Sequence, residues 1–149
     1  MIKYKQLFRH DPKNGTYGDC DRTVIACLLD MEPKYIPHFW NHIPDENAPQ
    51  KDIDKARECK NEWLERNNLK LITTVFNGKD DLQLILDSVS NSNPGEYYIL
   101  AGESKNGCNH VVICKDGEIV HDPSLDESGI IGPCIPTGFY EISFLARGI

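Results

Sequence analysis

The sequence predicts an α+β fold in which helices come first and an antiparallel sheet follows. Apolar residues recur every three or four positions in residues 20–31 and 51–67, the spacing of amphipathic helices. The later stretches "LKLITTVF", "EYYILAG" and "FYEISFLA" are rich in β-branched and aromatic residues and indicate strands. Because helices and strands are segregated along the chain, a parallel sheet of βαβ units is not predicted. We expect the first helix to lie against the sheet.

The first helix is predicted to begin at Cys20, after Gly18-Asp19, and to end before Pro33. Its buried stripe is predicted to be Thr23, Val24, Cys27, Leu28 and Met31. The buried residues of the second helix are predicted to be Ile53, Ala56, Cys59, Trp63 and Leu64. Residues 32–50 carry several prolines and aromatic side chains, which predicts an irregular loop packed on the domain. A short third helix is predicted in "KDDLQLILDSVSN", where acidic residues occupy the positive helix end.

The stretch "NHVVICKDGEIVHDP", residues 109–123, predicts a β-hairpin whose short connection contains a glycine. If the turn centres on Asp116, His110 and Asp122 face each other across the two strands. Opposite residues of an antiparallel pair lie close enough for an imidazole and a carboxylate to meet. His121 points to the opposite face, because side chains alternate along a strand. The hairpin therefore predicts a His–Asp pair.

Composition narrows the classes of function. A chain of 149 residues fits a single domain, residues 1–149, with a net charge of −7. That charge and the absence of a Lys/Arg cluster predict no nucleic-acid partner. The N-terminal stretch lacks the apolar core of a signal peptide, and no apolar run is long enough to span a membrane. We therefore expect a cytoplasmic protein without a membrane partner; the oligomeric state is not predicted.

The six cysteines are predicted to be free thiols, because disulfide frameworks belong to short secreted chains. Structural zinc is the next alternative, but the chain has no C-x-x-C motif. His38 and His42 are four residues apart, as metal ligands on a helix would be, yet Pro37 and Pro44 flank them. A packed aromatic loop is the preferred interpretation there. No metal and no cofactor are predicted.

Cys20 is the candidate nucleophile because of its position. A thiol in the first turn of a helix faces unpaired backbone N–H groups and the positive end of the helix dipole. Both features, and a nearby imidazolium, favour the reactive thiolate. A cysteine at a helix start is commonly a small packing residue. The order along the chain, Cys20, then His110 and then Asp122, is what favours a cysteine hydrolase. Asp19 is expected to cap the helix.

The motifs "GDCDRTVIACLLDM" and "NHVVICKDGEIVHDP" resemble compact papain-like cysteine peptidases, above all the domains that process bacteriocin leaders. The chain is also similar to small bacteriophage proteins with "GDC…VPHF" and "DP" stretches, here "GDC…IPHFW". The resemblance implies a papain-like fold with Cys20 as nucleophile, His110 as general base and Asp122 as orienting acid. The family's oxyanion glutamine lies about six residues before the cysteine, where this chain has Asn14; Gln6 is the alternative. Asp21 stands where the peptidases often have glycine.

The expected function is hydrolysis of a peptide, isopeptide or related amide bond through a thioester on Cys20. Two alternatives remain open at this point. A glutamine deamidase or transglutaminase uses the same three residues with a different acyl donor or acceptor, and an inactive papain-like domain would only bind a protein. The expected partner is a protein or peptide substrate, in the host cytoplasm if the protein comes from a bacteriophage. The loop at 32–50 has no peptidase counterpart and is expected to select the substrate.

Overall fold

The computed structural model describes residues 1–148, and these form three α-helices and a sheet of five strands. The helices are α1 (Cys20–Leu29), α2 (Gln50–Arg66) and α3 (Leu82–Ser92). The strands are β1 (Leu69–Asn77), β2 (Tyr98–Glu103), β3 (Asn109–Lys115), β4 (Glu118–His121) and β5 (Phe139–Arg147). The predicted α+β class is therefore confirmed. Across these residues no helix is both long enough and apolar enough to cross a membrane.

The sheet has the strand order β1-β5-β2-β3-β4, and every neighbouring pair is antiparallel. The last strand of the chain, β5, thus lies between β1 and β2. The hairpin of β3 and β4 occupies one side of the sheet, with β4 at the edge. The chain that follows β4 leaves the sheet at this edge, next to the start of β3.

The two faces of the sheet bury different helices, because side chains alternate along each strand. On one face Val24 and Cys27 of α1 pack against Ile99 of β2 and Ile113 of β3. The other face carries α3 in a cluster made of Ile85, Leu86, Tyr98, Leu100, Val112, Cys114, Tyr140 and Ile142. The prediction that the first helix lies against the sheet is confirmed, and this packing sets where the N-terminus of α1 comes to rest.

The segment 32–50 is an irregular loop, as predicted, with a short 3-10 turn at Pro33–Tyr35. Ile36 and Phe39 are buried and pack against Ile25 and Ala26 of α1. This contact uses the side of α1 that does not face the sheet. The helix is consequently buried on both sides, and the loop is held close to its N-terminal end.

The prediction that Cys59 is buried in α2 is wrong, because its side chain is exposed. The buried residues of α2 are Ala56 and Leu64, and Ile53 lies beside them, half-buried. At 100° per residue, Cys59 lies about 100° around the helix axis from the centre of that stripe. Cys59 fits the apolar pattern of the sequence, but the face that α2 buries is too narrow to include its position.

The hairpin register predicted from the sequence is also wrong. The turn has two residues, Asp116 and Gly117, both with positive φ (51° and 81°), so Lys115 pairs with Glu118. This is the type of tight turn that Asp-Gly favours, and it replaces the three-residue turn centred on Asp116. Left uncorrected, this register would put His110 and Asp122 on opposite faces of the hairpin.

A β-bulge in β4 changes the face of the hairpin on which Asp122 lies. Cys114 pairs with Ile119, but Ile113 pairs with His121, so Val120 is an extra residue without a partner. The register therefore shifts by one residue between Ile119 and His121. Extended by one further residue, it puts Asp122 on the same face as His110. The bulge, which the sequence pattern does not predict, is what allows these two side chains to meet.

Candidate functional site

His110 and Asp122 are in direct contact. His110 is the second residue of β3, and Asp122 follows the last residue of β4. Nε2 of the imidazole lies 2.7 Å from Oδ1 of the carboxylate, and the His110 side chain is only 6% exposed. A short, buried hydrogen bond of this kind fixes both the orientation of the ring and the nitrogen that faces the acid.

Asp122 accepts two further hydrogen bonds, which hold the carboxylate in place. The backbone N–H of Ser124 donates to Oδ1 at 2.9 Å, and that of Gly129 donates to Oδ2 at 2.7 Å. Burial raises the pKa of this carboxyl, but the hydrogen bonds from His110, Ser124 and Gly129 outweigh burial and hold the pKa well below its usual range. Both oxygens of the Asp122 carboxylate therefore accept hydrogen bonds, three in all.

Cys20 is a further neighbour of the His110 imidazole. Burial lowers the pKa of the imidazole, but hydrogen bonds with Asp122 and with the Cys20 thiol outweigh it and raise the pKa to about 10. Because Nε2 faces Asp122, Nδ1 is the nitrogen available to the sulfur. A protonated His110 stabilises a thiolate beside it. Asp122 and Cys20 are thus both neighbours of the same imidazole.

Cys20 is the first residue of α1 and is half-buried at the border of an open cleft. Its own N–H and those of the next residues belong to the first helical turn, where no intrahelical acceptor exists. The sulfur is therefore close to backbone donors, to His110 and to solvent at the same time. This is the setting in which a thiol acts as a nucleophile.

Asp21 does not place an unpaired negative charge beside the nucleophile. Its carboxylate accepts hydrogen bonds from Lys60 Nζ at 2.7 Å and from Trp40 Nε1 at 2.7 Å. Lys60 belongs to α2, and Trp40 belongs to the loop at 32–50. Asp21, the residue that departs from the peptidase pattern, therefore links α2 and the loop at 32–50 to the start of α1.

The prediction that Asp19 caps α1 is wrong. Its side chain makes no capping hydrogen bond, and its backbone has φ −117° and ψ 35°, outside the extended conformation of a usual N-cap. The carboxylate is turned away from the helix. It accepts hydrogen bonds from the backbone N–H of Leu7 and Phe8 and from Arg22 Nε.

The two predicted amide donors for an oxyanion lie in different places. Asn14 is exposed, donates to Asp11 and is not among the residues lining the cleft. Gln6 is buried and borders the cleft with Cys20. Its Nε2 would lie 3.3 Å from a Cβ placed on Gly18, two residues before the nucleophile. The geometry therefore favours Gln6.

A small loop explains why counting six residues back from Cys20 leads to the wrong neighbourhood. Asp11 and Thr16 pair through two backbone hydrogen bonds of 2.8 and 3.1 Å, and the segment between them forms a 3-10 turn at Pro12–Asn14. Residues 11–16 therefore close on themselves. The residues before and after this closed loop therefore come close together, and Gln6 lies next to Gly18.

The cleft has a volume of about 980 Å³ and is open to solvent. One wall comes from the loop at 32–50, through Trp40 and Ile43 to Glu46. A second wall comes from residues within 124–137, the segment that follows Asp122 and Pro123. Cys20 and His110 lie between the two walls. A cleft of this size matches the upper range of ligand sites in proteins.

The other histidines have structural contacts. His121 lies on the opposite face of β4 from Asp122, and its Nε2 is 2.6 Å from the carbonyl oxygen of Tyr4. His38 stacks on Phe8 and donates from Nε2 to the carbonyl of Tyr17 at 2.8 Å. Within residues 1–148, no group of three His, Cys, Asp or Glu side chains has an arrangement that would hold a metal ion.

The remaining five thiols differ from Cys20 in their surroundings. Burial raises the pKa of Cys27 and Cys108, and raises that of Cys114 and Cys134 to about 12. Cys59 is exposed on α2 and does not line the cleft. All six cysteines are free. Only Cys20 combines a helix N-terminus, an imidazole partner and access from the cleft.

Comparison with known proteins gives little further information. No protein-family model matches the chain, and no solved structure matches it. A stretch of 59 residues is 36% identical to NADH-rubredoxin oxidoreductase of Clostridium acetobutylicum. The match covers 40% of this chain and 14% of that enzyme. Because so little of the oxidoreductase is involved, the similarity does not bring its activity to this protein.

Proposed function

We propose that the protein is a papain-like cysteine hydrolase that cleaves a peptide, isopeptide or related amide bond. The observation that carries the proposal is the position of His110, whose Nε2 lies 2.7 Å from Asp122 Oδ1 and whose imidazole also has the Cys20 thiol as a neighbour. The nucleophile, its base and the orienting acid are recognised by this geometry rather than by their spacing in the chain. The resemblance of the two sequence motifs to papain-like peptidases points the same way.

The proposed reaction begins when the Cys20 thiolate attacks the carbonyl carbon of the amide and a C–S bond forms. The carbonyl oxygen becomes an oxyanion, which the Cys20 N–H and the Gln6 side-chain amide stabilise. The His110 imidazolium gives its proton to the amide nitrogen, the C–N bond breaks and the amine leaves. The acyl group is then a thioester on Cys20.

Water completes the cycle. The imidazole of His110 takes a proton from a water molecule, whose oxygen attacks the thioester carbon. The C–S bond breaks, the acyl group leaves as a carboxylic acid, and the thiolate–imidazolium pair is restored. Asp122 stays ionised throughout and keeps Nε2–H of His110 in place. No cofactor is needed for any of these steps.

The proposed substrate is a protein or peptide, because the cleft is an open channel between two loops and not an enclosed pocket. The two walls contribute both apolar and charged side chains. A peptide bound in this cleft has access to Cys20, which lines it. Trp40 is placed to contact such a chain, since it lines the cleft while its indole N–H is held by Asp21.

The test is to incubate the protein with a peptide library made from a bacterial cytosolic proteome and to compare it with Cys20→Ala by mass spectrometry. A hydrolase is expected to give new peptide termini that the variant does not give. Deamidation would instead change the mass of glutamine-containing peptides without cleaving them. If wild type and variant leave every peptide intact, the proposal is wrong and a domain that only binds protein is the remaining interpretation.

A further inference from the structure

Asp19, the residue before the nucleophile, has a fully buried carboxyl side chain that is paired with Arg22. Its side chain is 0% exposed, and its partner Arg22 is 9% exposed, with Nε at 2.9 Å from Oδ2. Arg22 is in turn tied to the loop at 32–50, because it donates from Nη1 to the carbonyl of Ile36 at 2.9 Å. A buried ion pair is costly to desolvate and contributes little net stability. Its presence beside the nucleophile calls for a different explanation.

The contacts of Asp19 lead to the N-terminal segment of the chain. Oδ1 accepts from the N–H of Phe8 at 3.1 Å, and Oδ2 accepts from the N–H of Leu7 at 3.3 Å. These two peptide groups directly follow Gln6. The segment forms no strand or helix, so its backbone N–H groups have no partners from regular secondary structure. The Asp19 carboxylate accepts the backbone hydrogen bonds that the carbonyl groups of a neighbouring strand would accept in a sheet.

Gln6 is consequently held from both sides. Its backbone N–H donates to the carbonyl oxygen of Pro123 at 2.7 Å, and its side-chain Nε2 donates to the carbonyl oxygen of Phe8 at 3.1 Å. The second contact depends on where Phe8 lies, and Asp19 holds the N–H of Phe8. The route from Asp19 to the Gln6 amide is therefore two hydrogen bonds long.

We propose that Asp19 is a positioning residue for the oxyanion site: it fixes Leu7 and Phe8, and through them it fixes the Gln6 amide near Gly18, in the cleft that Cys20 also lines. This inference rests on the proposed function and adds a residue to it. Two consecutive residues at the start of α1 thus contribute to the reaction: Cys20 supplies the nucleophile, and Asp19 aligns the amide that stabilises the oxyanion. Asparagine would be a poor replacement, because its amide nitrogen cannot accept the hydrogen bonds that the carboxylate accepts.

Two chemical probes separate this role from a general structural role. 4-Nitrophenyl acetate acylates the thiolate: a C–S bond forms, an oxyanion develops, 4-nitrophenolate leaves and water later hydrolyses the acetyl thioester. Iodoacetamide alkylates the same sulfur by displacing iodide, and no oxyanion forms. A residue that only positions the oxyanion donor affects the first reaction and not the second. Each rate is measured on the full chain, by 4-nitrophenolate absorbance and by peptide mass.

We expect Asp19→Asn and Gln6→Ala each to slow acylation by about tenfold to a hundredfold. The upper end of this range is the smaller of the rate losses that follow removal of one oxyanion-hole donor. Alkylation of Cys20 should change by less than about twofold. In the Gln6→Ala background, Asp19→Asn should slow acylation no further, because the two residues act through one group. Asp30→Asn is the matched control: it removes another carboxylate that contacts the N-terminal segment, but at the far end of α1. It should leave both rates unchanged.

The inference is overturned if Asp19→Asn acylates at the wild-type rate, or if its effect is fully additive with that of Gln6→Ala. If Asp19→Asn does not fold, the double variant Asp19→Asn/Arg22→Gln removes both buried charges and should still show slow acylation with normal alkylation. Wild-type acylation by that double variant, or failure of that variant to fold as well, also overturns it. The proposed function fails separately, if wild-type Cys20 is neither acylated nor selectively alkylated.

Discussion

The backbone N–H of Gln6 donates a hydrogen bond of 2.7 Å to the carbonyl oxygen of Pro123, the residue after Asp122. The chain segment that carries the proposed oxyanion donor is thus attached to the segment that carries the acid of the His–Asp pair. Lys5 adds to the attachment, because its Nζ donates to the carbonyl oxygens of Asp122 and Ser124. The N-terminal segment is therefore attached to the segment that carries Asp122 at two consecutive residues, Lys5 and Gln6.

The first prediction concerns the reactivity of Cys20. Iodoacetamide at about pH 6 should alkylate Cys20 faster than any other cysteine, because Cys20 lines the cleft at a helix N-terminus and has the His110 imidazolium as a neighbour. The modified peptide is identified by mass after proteolysis. Cys59→Ala is the control, since Cys59 is exposed outside the cleft, and its removal should leave the fast reaction intact. Fast alkylation that survives in Cys20→Ala would assign the reactive thiol to another residue.

The second prediction compares two buried histidines of the same hairpin. His110→Gln should slow the alkylation of Cys20 at about pH 6 by at least tenfold, because glutamine carries no positive charge to stabilise the thiolate. His121→Gln should change the rate by less than about twofold, since His121 contacts Tyr4 on the opposite face. Equal effects of both substitutions would mean that the loss reflects a disturbed hairpin and not the loss of the imidazolium.

The third prediction is a pH dependence of stability. The pKa of Asp122 is lower in the folded state, so its contribution is present above the unfolded value near 3.8 and is lost as the pH falls. The pKa of His110 is raised from 6.5 to about 10, so its contribution is complete below pH 6.5 and is lost as the pH rises towards 10. The pair therefore stabilises most between about pH 4 and 6.5.

Asp122→Asn should lower the free energy of unfolding by about 2–4 kcal/mol at about pH 5.5, because a buried charge loses its partner. The difference from wild type should narrow at about pH 3 and at about pH 9.5. Urea denaturation at the three pH values measures it. Asp116→Asn, in the turn of the same hairpin, is the control and should cost less than about 0.5 kcal/mol, since asparagine tolerates positive φ. A difference that does not vary with pH would rule out the ion pair.

The fourth prediction decides between the two candidate amides. Asn14→Ala should acylate with 4-nitrophenyl acetate at the wild-type rate, because Asn14 is exposed and bonded to Asp11. Gln6→Ala should be slow, because the Gln6 amide lies beside Gly18 and the cleft. The measurement is the rate of 4-nitrophenolate release for the two variants side by side. A slow Asn14→Ala with a normal Gln6→Ala would restore the assignment made from sequence spacing.

The sequence by itself determined the α+β class, the start of α1 at Cys20 and the hairpin that carries His110. These features depend on residues close together in the chain. Apolar periodicity, a glycine before a helix and an Asp-Gly turn act over a few positions, so their consequences are readable without the fold. The order Cys20, His110, Asp122 is equally a property of the sequence.

Only the tertiary structure decided how those residues meet. The bulge at Val120, which turns Asp122 to the face of His110, has no distinct local signal in "EIVHDP". The position of Gln6 near Gly18 depends on the closed loop at 11–16, and the role proposed for Asp19 depends on its contacts with Leu7 and Phe8, twelve and eleven positions before it. The exposure of Cys59 depends on how narrow a face α2 buries. Each follows from contacts between distant segments, whose geometry is set by packing and by the pairing of buried polar groups.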